Sequence, residues 1–280
     1  MTKQVEIFEV GPRDGLQNEA AKIATADKIA LVDLLSTAGF KRIEVASFVS
    51  PKWVPQMADS AQVLAGIARR DGVSYAALTP NMRGLEGAIS AKADEVAVFA
   101  SASEGFSKAN VNASIEESIA RFVPIMDAAP MRVRGYVSCV AECPYDGPTD
   151  PAQVARVVAQ MFELGCYEVS LGDTIGRATP DQIGAMLHAV LEVAPADKLA
   201  GHFHDTSGRA LLNIDVALSH GVRVFDAAVG GLGGCPYAPG AAGNVATEAV
   251  LRHVEAKGFA TGIDADIVAE AAALAQSMRG

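Results

Sequence analysis

The residues of this 280-residue chain that could do chemistry fall in a few short motifs. His202-Phe-His204 puts two imidazoles at i and i+2. On a strand both face the same way and can reach one cation, although each could equally be a hydrogen-bonded wall residue. The other three histidines, His188, His220 and His253, fall in helix-patterned stretches and read as structural or surface residues. Asp14, within Gly11-Pro-Arg-Asp-Gly-Leu-Gln-Asn-Glu19, and Asn244 offer oxygen donors if their segments are neighbours. Two imidazoles, a carboxylate and an amide oxygen suit six-coordinate Mg²⁺ or Mn²⁺, whereas zinc would favour thiolates. Arg13, together with such a cation, makes a rim rich in acids tolerable.

Cys235 lies among Gly230, Gly231, Gly233, Gly234, Gly240 and Gly243, with a proline after it. It is either a small buried hydrophobe or a thiol on a closing, mobile loop that returns a proton to a carbanion. Asp173, in Leu-Gly-Asp-Thr-Ile-Gly, either caps the following helix or holds an arginine or a ligating histidine in place. Cys139 and Cys143 are spaced as C-x-x-x-C without a second pair, which argues against a structural metal there.

The elements that must position these residues are legible as alternation. Short β-branched runs occur at 5–10, 42–46, 73–78, 95–99, 133–138, 168–171, 199–203 and 222–225. Stretches with helical apolar spacing separate them, such as those containing Ile29, Val32 and Leu35, or Val154, Val157, Val158 and Met161. Thr25 and Ser114 read as helix starts, the latter as a capping box with Glu117. Gly39, Gly165 and Gly221 read as helix ends that lead into strands. Strict βα alternation implies a parallel sheet with right-handed crossovers, and eight units favour one closed (β/α)₈ TIM barrel. The barrel is expected over about 5–260 within a single domain, 1–280, with an extra helix at about 265–278. No G-x-G-x-x-G follows the first run, which weakens a dinucleotide fold. In such barrels the site lies at the C-terminal ends of the strands, where Arg13, Asp14, Glu44, Ser47, Asp173, His202, His204 and Asn244 all fall.

Composition narrows the function classes. Half the chain is hydrophobic and 20% is charged, which excludes disorder. A formal net charge of −10 argues against nucleic acid or an anionic membrane as partner. No apolar run approaches the roughly 18 residues that span a bilayer, and the charged start lacks a signal-peptide core. Four cysteines are too few for a disulfide scaffold. A soluble, cytoplasmic α/β enzyme is expected.

Gly11-Pro-Arg-Asp-Gly-Leu-Gln-Asn-Glu19, Ser47-Phe-Val-Ser-Pro-Lys-Trp-Val-Pro-Gln-Met57, Val133-Arg-Gly-Tyr-Val-Ser-Cys139, Ser170-Leu-Gly-Asp-Thr-Ile-Gly176, His202-x-His-Asp-Thr206 and Gly231-Leu-Gly-Gly-Cys-Pro-Tyr-Ala238 resemble the 3-hydroxy-3-methylglutaryl-CoA lyase family, within the metal-dependent lyase and aldolase TIM barrels. The likeness runs from about residue 5 to 260, and the cysteine-loop motif is specific to the lyase branch. It implies retro-Claisen cleavage of 3-hydroxy-3-methylglutaryl-CoA to acetoacetate and acetyl-CoA. It also implies a divalent cation, Mg²⁺ or Mn²⁺, on Asp14, His202, His204 and Asn244. By the same resemblance Asp14 is the general base, Arg13 stabilises the enolate and Cys235 is the acid. Glu44 and Asp173 orient Arg13 and the ligands. Glu248, four residues after Asn244, is expected on the same helix face, fixing that amide. Arg13, Gln17, Ser47, Tyr136 and Ser170 are expected at the substrate, and a homo-oligomer, dimer or larger, is implied.

Three positions depart from the family pattern. Phe203 and Ser207 replace a cysteine and a tyrosine of some relatives, and Ala20 stands where lysine is frequent, with Lys22 two residues on. Thiol regulation through a cysteine-bearing tail is not expected. Competing readings keep the chemistry on a longer 3-hydroxy-3-alkylglutaryl-CoA or on citramalyl-CoA, or run it forward as an isopropylmalate-type condensation. A non-enzymatic CoA-binding scaffold would leave the metal ligands idle.

Overall fold

Eight strands close into a parallel barrel in a computed structural model that describes residues 3–235 and 238–279, leaving out the side chains of 234–242. They are β1 (Glu6–Glu9), β2 (Arg42–Ser47), β3 (Ser74–Leu78), β4 (Glu95–Ser101), β5 (Val133–Ser138), β6 (Val169–Asp173), β7 (Leu199–Phe203) and β8 (Val224–Ala227). Each pairs in parallel with its sequence neighbours, and β1 pairs with both β2 and β8, so the sheet has no edge. The run expected at 222–225 begins and ends two residues later. That shift puts Asp226 inside the strand, in register with His202.

The period of two sorts each strand. Ile43, Val45, Val133, Val137, Val169, Leu171, Phe203 and Phe225 join the large apolar core between sheet and helices. Their alternates Arg42, Glu44, Arg134, Tyr136, Ser170, His202 and Asp226 lie on the other face, inside the barrel. Small apolar groups, Phe8 with Val10 and Ala76, and Leu78 with Ala97 and Tyr136, fill the remaining interior. The barrel interior is therefore unusually charged for this architecture.

The outer layer follows the capping signals with one exception. Ser114 and Glu117 form the expected reciprocal capping box at Ile115–Ala120. Gly39, Gly165 and Gly221 adopt φ of 95°, 106° and 94°, which a side chain would strain. The first helix, however, starts at Thr25 itself with no side-chain cap. The Thr25 hydroxyl donates instead to Asp59 Oδ2 at 2.8 Å, because buried Lys28 brings Asp59 to that helix end. His188 and His253 lie in helices, whereas His220 follows the end of its helix. The C-terminal helix, Ala265–Ser277, packs on the turn after β8, where Gln276 Nε2 donates to the Gly230 carbonyl. No helix among the described residues is long and apolar enough to cross a membrane.

Candidate active site

The turn after β1 places Arg13 and Asp14. Gly11–Gly15 form a single wide turn in which the Val10 carbonyl accepts from the Arg13, Asp14 and Gly15 amides at 3.2, 2.8 and 3.2 Å. A Cβ on Gly15 would lie 2.6 Å from Leu232 Cβ, so glycine there lets the turn touch the segment after β8. Arg13 is 5% exposed and donates from Nε to Glu44 Oε2 at 2.6 Å and from Nη1 to Asp14 Oδ1 at 2.6 Å. Glu44 is fully buried, with the Arg13 guanidinium as its ion-pair partner.

Asp14, His202 and His204 each present one ligand atom, all within 4.8 Å of one another. The two Nε2 atoms lie 3.3 Å apart, and His202 Nε2 lies 3.9 Å from Asp14 Oδ2. Asn244 joins them through its backbone, bridging to His204, and its Nδ2 donates to Asp14 Oδ2 at 2.8 Å. These four residues are thus brought together as the sequence predicts.

Electrostatics at the cluster favour a cation. Burial alone would raise the Asp14 carboxyl, but Arg13 and then the two imidazoles hold it down at about 2. Burial and the neighbouring His202 push His204 to about 4, leaving it neutral. His202 goes the other way: burial opposes its charge, yet Asp226 and Asp14 outweigh burial and raise it. Two ring nitrogens and a carboxylate oxygen converge, and with a neutral His202 whose Nδ1 proton faces Asp226, both Nε2 atoms are acceptors. A divalent cation satisfies all three acceptors at once, so the residues fit one.

Five buried polar atoms at or near this end have no hydrogen-bond partner among the described residues: Gln17 Oε1, Glu44 Oε1, Ser47 Oγ, Tyr136 OH and His204 Nδ1. Native interiors rarely leave such atoms unpaired without a ligand or water to meet them. Gln17, Ser47 and Tyr136 were all expected at the substrate. Tyr136 meets the His202 ring edge-on at 6.1 Å, with Arg13 5.8 Å from its own ring centre.

Other expectations need correction. The Asp173 side chain is bonded to neither Arg13 nor a histidine ring; it accepts from the Arg177 and Ala178 amides at 3.3 and 3.0 Å and so folds its own loop, while its backbone carbonyl accepts from the His204 amide at 3.4 Å. Burial raises it to about 6. Glu248 does not fix Asn244 on a shared helix face, because Asn244 precedes the helix Thr247–Ala256. Its carboxylate accepts from the Gly230 amide at 3.1 Å. Ser170 lies fully buried beneath the site and donates to Asp226 Oδ2 at 2.7 Å rather than facing substrate. The glycine-rich segment, expected as a loop, has backbone Gly234–Cys235 paired antiparallel with Ala238–Ala242. The side chain of Cys235, like Pro236 and Tyr237, lies outside the described residues.

Three residues escape the sequence reading. Asp226 faces His202 Nδ1 at 3.2 Å, and Arg134 holds Asp226. The signal is present, since Asp226 directly follows the run that ends at Phe225, and the strand continues to Ala227. Glu9, also missed, accepts from the Gly11 and Val229 amides and from Thr247 Oγ1 at 2.8, 2.9 and 2.6 Å, tying β1 to the loop after β8.

Comparison with known proteins gives the family. The chain is 57% identical over 274 residues to the 3-hydroxy-3-isohexenylglutaryl-CoA/hydroxy-methylglutaryl-CoA lyase of Pseudomonas aeruginosa, covering 97% of this chain and 91% of that one. It is 52% identical over 269 residues to the hydroxymethylglutaryl-CoA lyase of Pseudomonas mevalonii, covering 95% and 89%. The crystal structure of the HMG-CoA lyase from Brucella melitensis superposes with a TM-score of 0.98 at 61% identity, covering 99% of both chains. The HMGL-like family model matches residues 4–275, and the chain belongs to that family.

Proposed function

We propose that this enzyme cleaves 3-hydroxy-3-methylglutaryl-CoA to acetoacetate and acetyl-CoA with a divalent cation, Mg²⁺ or Mn²⁺. The observation that carries the reading is the convergence of Asp14, His202 and His204 beside a buried, ion-paired Arg13. Asp14, His202, His204 and Asn244 would hold the cation, Asn244 by turning its amide oxygen inward. Bound there, the cation would acidify the substrate's C3 hydroxyl to match the weak basicity of Asp14.

Asp14 then takes the hydroxyl proton, and the C2–C3 bond breaks to give the ketone and the thioester enolate of acetyl-CoA. Arg13 faces the growing enolate charge while Glu44 keeps its guanidinium in place. Cys235 is the candidate acid that returns a proton to C2. Gln17, Ser47 and Tyr136 contact substrate through their unpaired polar atoms. Tyr136→Phe is accordingly expected to raise KM about fivefold, the worth of one hydrogen bond; an unchanged KM removes Tyr136 from the substrate site.

Chelation followed by dialysis is expected to abolish turnover, with Mg²⁺ or Mn²⁺ restoring it. Full activity in a verified metal-free sample would sink the reading. A second reading, the same cleavage of a longer 3-hydroxy-3-alkylglutaryl-CoA, is favoured by the name of the Pseudomonas aeruginosa relative. A turnover panel across chain lengths decides between the two esters.

A further inference from the structure

A chain of buried charges crosses the barrel from its N-terminal floor to His202. At the floor Arg42 Nε donates to Glu6 Oε1 at 2.5 Å, and its two Nη atoms donate to Glu168 at 2.9 and 3.1 Å. Glu168 Oε1 also accepts from Arg134 Nε at 2.6 Å. Arg134 turns its remaining nitrogens toward the mouth, Nη1 to Asp226 Oδ2 at 3.1 Å and Nη2 to Oδ1 at 2.8 Å. Asp226 Oδ2 accepts in addition from Ser170 Oγ at 2.7 Å and faces His202 Nδ1 at 3.2 Å. The guanidinium of Arg134 lies over the rings of Phe8 and Tyr136, 4.5 and 4.8 Å from their centres. Arg134 and Asp226 are 1% and 2% exposed, so water cannot substitute for either.

An ion pair this deep is a poor way to gain stability, because well-packed apolar residues of similar volume often do as well or better. What it supplies is geometry. A two-pronged guanidinium accepts one orientation of a carboxylate, and the serine hydroxyl fixes the same oxygen from a second direction. Held in this way, Asp226 presents Oδ2 to His202, which keeps the imidazole proton on Nδ1 and turns Nε2 toward Asp14 and His204.

We infer that Arg134 is a positioning residue for the reaction, holding Asp226 so that His202 presents Nε2 to a divalent cation. This rests on the metal-dependent reading above. Arg134 touches neither substrate nor cation and acts two contacts away.

The test is an EPR titration of Mn²⁺ into metal-free protein, run with thermal unfolding, for wild type, Arg134→Lys, Asp226→Asn and Arg42→Lys. Failure of the wild type to bind Mn²⁺ overturns the metal-dependent reading itself. Given wild-type binding, Arg134→Lys keeps the charge but loses the fork, and is expected to bind Mn²⁺ about 10- to 100-fold more weakly. Its turnover should fall at low Mn²⁺ and recover as Mn²⁺ is raised. Arg42→Lys, at the floor, is expected to melt earlier yet bind Mn²⁺ like wild type. Wild-type affinity in folded Arg134→Lys overturns the inference, as does equal weakening in Arg42→Lys. If Arg134→Lys does not fold, the isosteric Asp226→Asn decides: weakened Mn²⁺ binding supports the inference and unchanged binding overturns it.

Discussion

The two ends of the barrel interior are both lined with charge, and they use it differently. At the floor, Arg42, Glu168, Arg134 and Asp226 are joined by charge-assisted hydrogen bonds, and each of their carboxylate oxygens has a partner. At the mouth, Glu44 Oε1, Ser47 Oγ, Tyr136 OH and His204 Nδ1 are just as buried but have no partner among the described residues. Leaving a buried polar atom unpaired costs about 1–3 kcal/mol, so the mouth is the less stable arrangement taken alone. The contrast separates charge paired within the protein from charge left open for a ligand, with Glu95 Oε1 at the start of β4 the unpaired exception at the floor. Glu9 shows that position alone does not decide this: it lies at the mouth end of β1, yet three donors satisfy it. It therefore groups with the floor.

The sharpest way to break the contrast is at Arg13. Arg13→Met is expected to lower kcat by about 10³ or more while the protein still folds. Burial raises the Glu44 carboxyl, which favours its neutral form once the partner is gone, so the variant is expected to fold. A change confined to KM would reduce Arg13 to a binding group. Glu168→Gln is the floor counterpart, leaving Arg42 and Arg134 with one neutral acceptor between them. We expect about 3 kcal/mol less stability in urea unfolding, with turnover of the folded fraction within about tenfold of wild type. Undiminished stability would mean that the floor network is not structural.

Cys235→Ser comes next, with an expected loss in kcat of about 10², since a serine hydroxyl is a far weaker acid than a thiol. Serine variants of Cys139 and Cys143 are the controls. Near-wild-type turnover in Cys235→Ser would assign the returning proton to another group.

The smallest effect concerns Glu9 and pH. Burial raises its carboxyl from 4.5 to about 7, even though Thr247 and two backbone amides pull the other way. Between those values the folded chain keeps a proton that the unfolded chain has lost. Its contribution to stability is therefore complete below 4.5 and declines as pH rises to about 7, by about 3 kcal/mol. Glu9→Gln keeps the oxygen that accepts from Gly11 and Val229 and can still bond Thr247, so the decline should flatten. Unfolding of both proteins at pH 5 and pH 7.5 checks this, and a constant difference between them would rule Glu9 out as the titrating group.

Much of the molecule is legible locally. The barrel strands start within two residues of the β-branched runs because period-two burial and glycine-ended helices are local signals. His202 and His204 share a face for the same reason, and Arg13 and Asp14 are adjacent in sequence. The misplaced roles are those that depend on where a strand or helix ends. Closing β8 at Phe225 hid Asp226, and extending a helix back to Asn244 gave Glu248 the wrong partner. Asp173 illustrates a choice that the sequence left open, and the structure takes neither branch: Thr179 caps the following helix, and the Asp173 carboxylate accepts from the loop amides of Arg177 and Ala178.

What the sequence determined by itself is the order of elements, the closed parallel sheet and the identity of the residues at its C-terminal rim. These follow from hydrophobic period, turn chemistry and spacing along a few neighbouring residues. What only the tertiary structure decided is which charges neutralise which. Arg134 meets Asp226 across 92 positions, Asn244 meets Asp14 across 230, and Glu9 meets Thr247 across 238. Such pairings depend on the stagger at which eight strands close, and a carboxylate commits to a partner only when that closure brings one within hydrogen-bond reach and removes the water that would otherwise satisfy it.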